Sequence, residues 1–356
     1  WSLIYFEGEL HAPALLISLM LGSLCLRSFN GARGKWLSAA GAGLLAGLAV
    51  LVRPNALVFV PVLVLWGWWL ARRRGRPVQG LAGAATLALA AGAAILPAAI
   101  RNYAVSGEVV PVTANAGVNL YIGNNPRATG RCIADLGEAG RVATRFDYPE
   151  VLRHIRGASR PAPHLEADRY FRERAMAWIR ENPGRFAELL GTKAALFWGP
   201  TEVGHNKEVA FERCDSAVLS LLPGSWPAVL ALGAMGLVGA LAVGGGPSAR
   251  PEGHPSGREL TILLATMTVV YFLSVWPFFV AARYRVPITP LLICLAACGP
   301  VAVAGWLRRR RFIAAGSWVV AAAGLYLLAS LPLADYTPSL GRWHCDRADL
   351  YTARGD

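Results

Sequence analysis

Arg283, Tyr284 and Arg285 stand in a short polar break between two apolar runs, and Pro287 and Pro290 follow at once. Two guanidinium groups so close together, on backbone stiffened by proline, make a basic rim that can hold a phosphate through paired hydrogen bonds. Arg53 is a third such cation, set between apolar runs and followed by Pro54 and Asn55. An arginine in that setting needs a partner, either a phosphate or a carboxylate. Glu7 and Glu9, in Tyr-Phe-Glu-Gly-Glu-Leu, are acidic candidates just ahead of the first apolar run. Residues at i and i+2 do not share a helix face, so at most one of the two faces a common site. A carboxylate there could act as a general base or hold a divalent ion. Each group also has a plainer role: snorkelling arginines, an Arg53–carboxylate pair, or acids suited to a helix N-terminus.

A second set is polar and uncharged. Arg101 and Asn102 open a long polar segment, followed by Asn115, Asn119, Asn124 and Asn125 with interleaved glycines. Carboxamides donate and accept, so they suit sugar hydroxyls, and they equally suit turns. The apolar run Val118–Ile122 among them reads as strand-like. Trp198, Glu202 and His205 could line a polar pocket or supply metal ligands, although one Glu beside one His is a weak metal signal. No nucleophile elbow, zinc-protease helix or phosphate-binding glycine loop is present, and Gly244-Gly245-Gly246 lacks the Lys-Ser/Thr that a phosphate cradle needs. Cys25, Cys294 and Cys298 fall in apolar runs. Cys132, Cys214 and Cys345 fall outside them, where one pair could form and at least one thiol would stay free.

The elements that must position these residues are membrane helices. The chain of 356 residues is 54% hydrophobic and only 16% charged, whereas about a quarter is usual for soluble domains. Runs at 10–27, 36–52, 55–71, 79–100, 226–244, 259–281, 286–307 and 312–333 carry no charge in their interiors and approach the roughly 20 residues that cross a bilayer. The expectation is an all-α polytopic fold: four spans in 1–100, a mixed domain at 101–225, four spans in 226–333, and a tail at 334–356. The second and third spans are separated by Arg53-Pro54-Asn55 alone and should form a tight hairpin. Absence of a signal peptide and of an initiator Met suggests the continuation of a longer polypeptide.

Charge sets the orientation. Loops 27–35, 72–78, 245–258 and 308–311 hold thirteen Lys and Arg against Glu252 and Glu259. The positive-inside rule makes them cytoplasmic. Segment 101–225, with sixteen basic and fourteen acidic residues, then faces outward together with Arg53 and Arg283–Arg285. The net charge of +13 is therefore a topology signal, and nucleic acid drops out as a partner. Within 101–225 an amphipathic helix is expected over 165–179, and a second, interfacial one over 186–198 after Asn182-Pro183. Residues 126–163 show no clear period. Charge-free spans argue against ion-coupled transport, and no inverted repeat or broken helix is read that would suggest a transporter.

The order of "FEGEL", "GLLAGLAVLVRPNALVFVPVLVLW", "RNYAVSGEVVPVTANAGVNLYIGNNPRATG", "YFRERAMAWIRENPGRFAELLGTKAALFW" and "ARYRVPITPLL" resembles bacterial GT-C glycosyltransferases. The group is the one containing protein O-mannosyltransferases and lipid A aminoarabinose transferases (glycosyltransferase family 39). The resemblance spans nearly the whole chain and rests on order and spacing. It implies an inverting enzyme of the cytoplasmic membrane that passes a sugar from a polyprenyl-phosphate donor to a protein or lipid acceptor at the outer face. By position it implies that Arg283 and Arg285 serve the donor phosphate, with Glu7 or Glu9 the nearest acids, and the residues themselves add Arg53 and Tyr284 to the phosphate-binding set. Sugar or acceptor contacts would come from Arg101, Asn102, Asn119, Asn124, Asn125, Trp198, Glu202 and His205. Members of the group carry their catalytic Asp in the first exterior loop and have more spans than the eight read here. The chain is therefore expected to be a C-terminal portion, inactive alone. The other classes in play are a lipid-linked sugar flippase and a non-catalytic membrane scaffold.

Overall fold

The computed structural model describes residues 13–29, 35–131, 148–160, 163–204, 208–221, 225–242, 255–341, 343–345 and 348. Glu7, Glu9, Cys132 and His205 lie outside the described residues. Within them the fold is all-α, with Arg131 and Val280 the one isolated β-bridge and no strand.

The first helices are α1 (Pro13–Phe29), α2 (Lys35–Val52), α3 (Phe59–Arg73), which a 3-10 turn at Pro54–Val58 introduces, and α4 (Pro77–Ser106). The second group is α11 (Trp226–Ala242), α12 (Gly257–Val275), α13 (Thr289–Ala296), α14 (Cys298–Arg308) and α15 (Phe312–Ala329). Between them lie α5 (Ala116–Gly123), α6 (Tyr148–Arg156), α7 (His164–Glu181), α8 (Pro183–Trp198), α9 (Val209–Asp215) and α10 (Ala217–Leu221). Six helical segments are long and apolar enough to cross a membrane: 54–73, 77–106, 217–241 (of which 222–224 lie outside the described residues), 257–275, 282–308 and 312–329. The first two spans read from sequence appear as shorter apolar helices, 13–28 and 36–52. At 1.5 Å per residue the latter reaches about 25 Å, short of a 30 Å hydrocarbon core. This is the architecture of a multi-pass membrane protein.

In lipid the hydrophobic effect does not pull helices together, so close packing must. Helix α2 shows how. Gly43 and Gly47 sit one turn apart, and a Cβ on either would strike the backbone of Leu87 or Ala91 on α4. The expected hairpin of α2 with α3 is thus looser than proposed: α2 packs mainly on α4 and α1, because its small-residue face points there. The shared core runs through Leu16, Met20, Val50, Phe59, Leu63, Met267, Tyr271 and Ile288. Leu81, Leu89 and Leu96 on α4, and Ile313, Val320 and Leu327 on α15, stay exposed. A helix apolar on all sides suits hydrocarbon rather than water.

Three local expectations change. Val118–Ile122 is helix, not strand, because Val118, Tyr121 and Ile122 at helical spacing pack on Phe171, Val151 and Phe279. Short apolar runs do not separate the two by pattern alone. Residues 148–156, given no structure from sequence, form α6, with Glu150 in its first turn and Val151 and Leu152 buried. The seventh span divides at Ala297 into α13 and α14, although Ala297 keeps helical angles (φ −60°, ψ −24°) and the span runs on through it. Pro300 explains the irregularity, since its ring opposes the carbonyl of Ala296, four residues earlier.

Candidate functional site

A cleft of about 390 Å3 opens where α1 begins and α2 and α12 end. Pro54 sets its first wall. The residue before a proline is driven out of helical geometry, and Arg53 is extended at φ −148°, ψ 114°. The turn that follows places Arg53, Pro54 and Asn55 on the cleft. Arg53 Nη1 donates to the Arg283 carbonyl at 3.2 Å, and its guanidinium lies 4.6 Å from the centroid of Tyr284. Arg283 lies 5.6 Å from the same ring. Two cations therefore flank one aromatic, an arrangement that cation–π attraction supports. Among the described residues no carboxylate lies within ion-pairing distance of Arg53.

The loop after α12 holds Arg283 in place because four other segments pin it. Val280 N donates to Gly130 O, and Ala282 N donates to Val203 O, each at 2.8 Å. Trp276 Nε1 donates to Leu190 O at 2.8 Å. The Pro277 carbonyl accepts from Asn124 Nδ2 at 2.7 Å and from Lys193 Nζ at 3.0 Å. Lys193 also donates to Asn124 Oδ1 at 2.8 Å and is fully enclosed. Burial without a carboxylate partner pushes its pKa down to about 7.

The third wall is α5, carrying Asn115 and Asn119, with Thr113 just before it. Its N-terminus is capped from outside. Buried Asp168 on α7 accepts from Gly117 N at 2.6 Å and Val118 N at 3.3 Å, and pairs with Arg172 at 2.5 Å. The floor is apolar: Leu16, Val52, Val275 and Phe278.

Of the residues singled out from sequence, the cleft gathers Arg53, Arg283, Tyr284, Asn115 and Asn119. Arg285 does not line it. Its side chain is buried, donating to Leu196 O at 2.5 Å and Thr201 O at 2.9 Å, 5.0 Å from the Trp226 ring and 3.7 Å from buried Glu202. Two residues along a 3-10 turn suffice to carry a side chain to a different side. Asn124 and Asn125 spend their amides on backbone carbonyls of α5 and, for Asn124, Pro277. Trp198 packs in an aromatic cluster with Phe197, Trp226 and Phe272. Arg101 and Asn102 line a shallower hollow of about 150 Å3, which shares Thr113 with the cleft.

Comparison with known protein families, with curated proteins and with solved structures finds no match.

Asn55 was missed as a site residue, and the helical spacing of Asn115 and Asn119 at i and i+4 went unread. Lys193 was missed too. Its clue is a lone cation at the same spacing as buried Leu189 and close to buried Leu196. Near the chain's other end, Tyr336 donates to buried Glu208 at 2.9 Å and accepts from Gly204 N at 2.9 Å; burial lifts its pKa to about 12. No group of three His, Cys, Asp or Glu gathers as a metal site among the described residues. The cleft thus offers two cations and several amides above an apolar floor, which suits an amphiphile with a phosphate near its polar end.

Proposed function

We propose that the chain belongs to a glycosyltransferase that uses a polyprenyl-phosphate sugar at the outer face of the cytoplasmic membrane. The supporting observation is the pairing of Arg53 and Arg283 around Tyr284, at a cleft floored by Leu16, Val52 and Val275. Guanidinium groups grip the phosphate, and the first isoprene unit lies on the apolar floor. An acceptor hydroxyl attacks the anomeric carbon while a carboxylate takes its proton. The carbon–oxygen bond to phosphate breaks, and polyprenyl phosphate leaves with the electron pair. Charge accumulating on the departing phosphate is what the two arginines stabilise. Glu7 and Glu9 are the acids of this chain nearest in sequence to Pro13, which lines the cleft.

The opposite end of the bundle supports this orientation. Arg27 lies over Trp66, Arg72 over Trp68 and Arg73 over Trp69, and Arg74 faces Glu259 at 3.7 Å. This arginine-rich end is assigned to the cytoplasm.

Titration of farnesyl phosphate into the intact protein in nanodiscs tests the reading. Arg53→Ala and Arg283→Ala should each weaken binding about tenfold; unchanged affinity in both would remove the phosphate assignment. Transfer of radiolabelled sugar to an acceptor separates a transferase from a flippase, which moves the lipid without breaking it.

A further inference from the structure

Three carboxamides in the cleft have no work inside the protein. Asn115 occupies the N-cap position of α5, where an asparagine ordinarily accepts from the helix's own first amides. Here its side chain makes no capping bond. Asp168 has taken that role through Gly117 N and Val118 N, which leaves the Asn115 amide turned to the cleft. Asn119 follows one helical turn later and lines the same space. Asn55 comes from the 3-10 turn beside Arg53. No side-chain hydrogen bond engages any of the three among the described residues, in contrast to Asn102, Asn124 and Asn125, whose amides are fully committed.

We infer that Asn55, Asn115 and Asn119 read the hydroxyls of an uncharged, hexose-like headgroup, making them the residues that distinguish a glycosylated lipid phosphate from the bare lipid phosphate. The inference rests on the reading of Arg53 and Arg283 as the phosphate grip and adds the group on the far side of that phosphate. An amide both donates and accepts, as does a sugar hydroxyl, and it brings no charge of its own. The two kinds of side chain divide the ligand: cations hold the anion, amides hold the polyol. A site built to hydrogen-bond hydroxyls discriminates against a ligand lacking them, because its polar groups are then left unpaired.

The test compares farnesyl phosphate with its hexosyl phosphodiester, whose sugar is uncharged, titrated into the intact protein in nanodiscs. Wild type should bind the hexosyl ester about tenfold more tightly, about 1.4 kcal/mol. Asn115→Ala/Asn119→Ala, and separately Asn55→Ala, should lower that preference toward unity while affinity for farnesyl phosphate stays unchanged. Retained binding of the bare phosphate also shows that the variants are folded. A wild type that binds both ligands equally, or variants that keep the preference, overturns this inference and spares the phosphate grip. Binding of neither ligand overturns both.

Discussion

Arg283 and Arg285 are two residues apart, yet they belong to regions with opposite logic. Arg285 is enclosed: Nη2 donates to Leu196 O and Thr201 O, Nε and Nη1 are buried without a hydrogen-bond partner among the described residues, and Glu202 and Trp226 close the shell. Arg53 and Arg283 instead lie against one aromatic ring and line an open cleft. The asparagines divide the same way: Asn124 and Asn125 serve the fold, Asn115 and Asn119 face the cleft. Side-chain chemistry does not separate bracket from binding surface. What separates them is whether the surrounding protein encloses the side chain or leaves it at the edge of a cleft.

Substitutions can break that contrast. Arg285→Met should have the largest effect, about 3–5 kcal/mol of lost stability, because it strands Glu202 as a buried charge. Thermal unfolding in detergent measures it, and Glu202→Gln in the same chain should recover part of the loss. If Arg285→Met melts with wild type, the bracket is not structural.

Lys193 comes next, and its sign differs. Its folded pKa, about 7, lies below the ordinary value of 10.5. Below pH 7 both states hold the proton and the burial cost is present in full. Between 7 and 10.5 the unfolded chain binds more protons, so stability should rise with pH by up to about 1.4 kcal/mol per unit. Lys193→Met should flatten that rise in melting curves taken across the window. A curve as steep as wild type excludes Lys193 as its source.

Arg53→Ala should leave the melting temperature nearly unchanged, within about 1 kcal/mol, since its protein contacts are one hydrogen bond and one ring. A large loss of stability would place Arg53 with Arg285 as a bracket. Smallest of all is Glu108→Ala, which breaks an exposed pair with Arg169 and should cost below about 1 kcal/mol. Equilibrium unfolding at two salt concentrations would reveal any larger role.

Much of the architecture was legible because membrane helices announce themselves by composition. Apolar runs free of interior charge gave the helices flanking the middle segment, and the Asn182-Pro183 step gave the boundary of α7 and α8. Less was legible where a short segment takes its conformation from neighbours. Val118–Ile122 becomes helix because Phe171 and Phe279 supply a face to pack on and Asp168 supplies a cap from fifty residues away. The irregularity at Ala297 comes from Pro300, which the hydropathy pattern hides among apolar neighbours.

From sequence alone came the class of the molecule, an all-α chain that crosses a membrane several times, and the presence of arginines at the edges of its apolar runs. Those properties are local: a run's transfer into hydrocarbon depends on its own side chains. Which arginine faces a cleft and which is locked in the interior was decided by tertiary structure alone. That choice depends on carbonyls and rings brought from up to 230 residues away, and no local pattern records where they arrive.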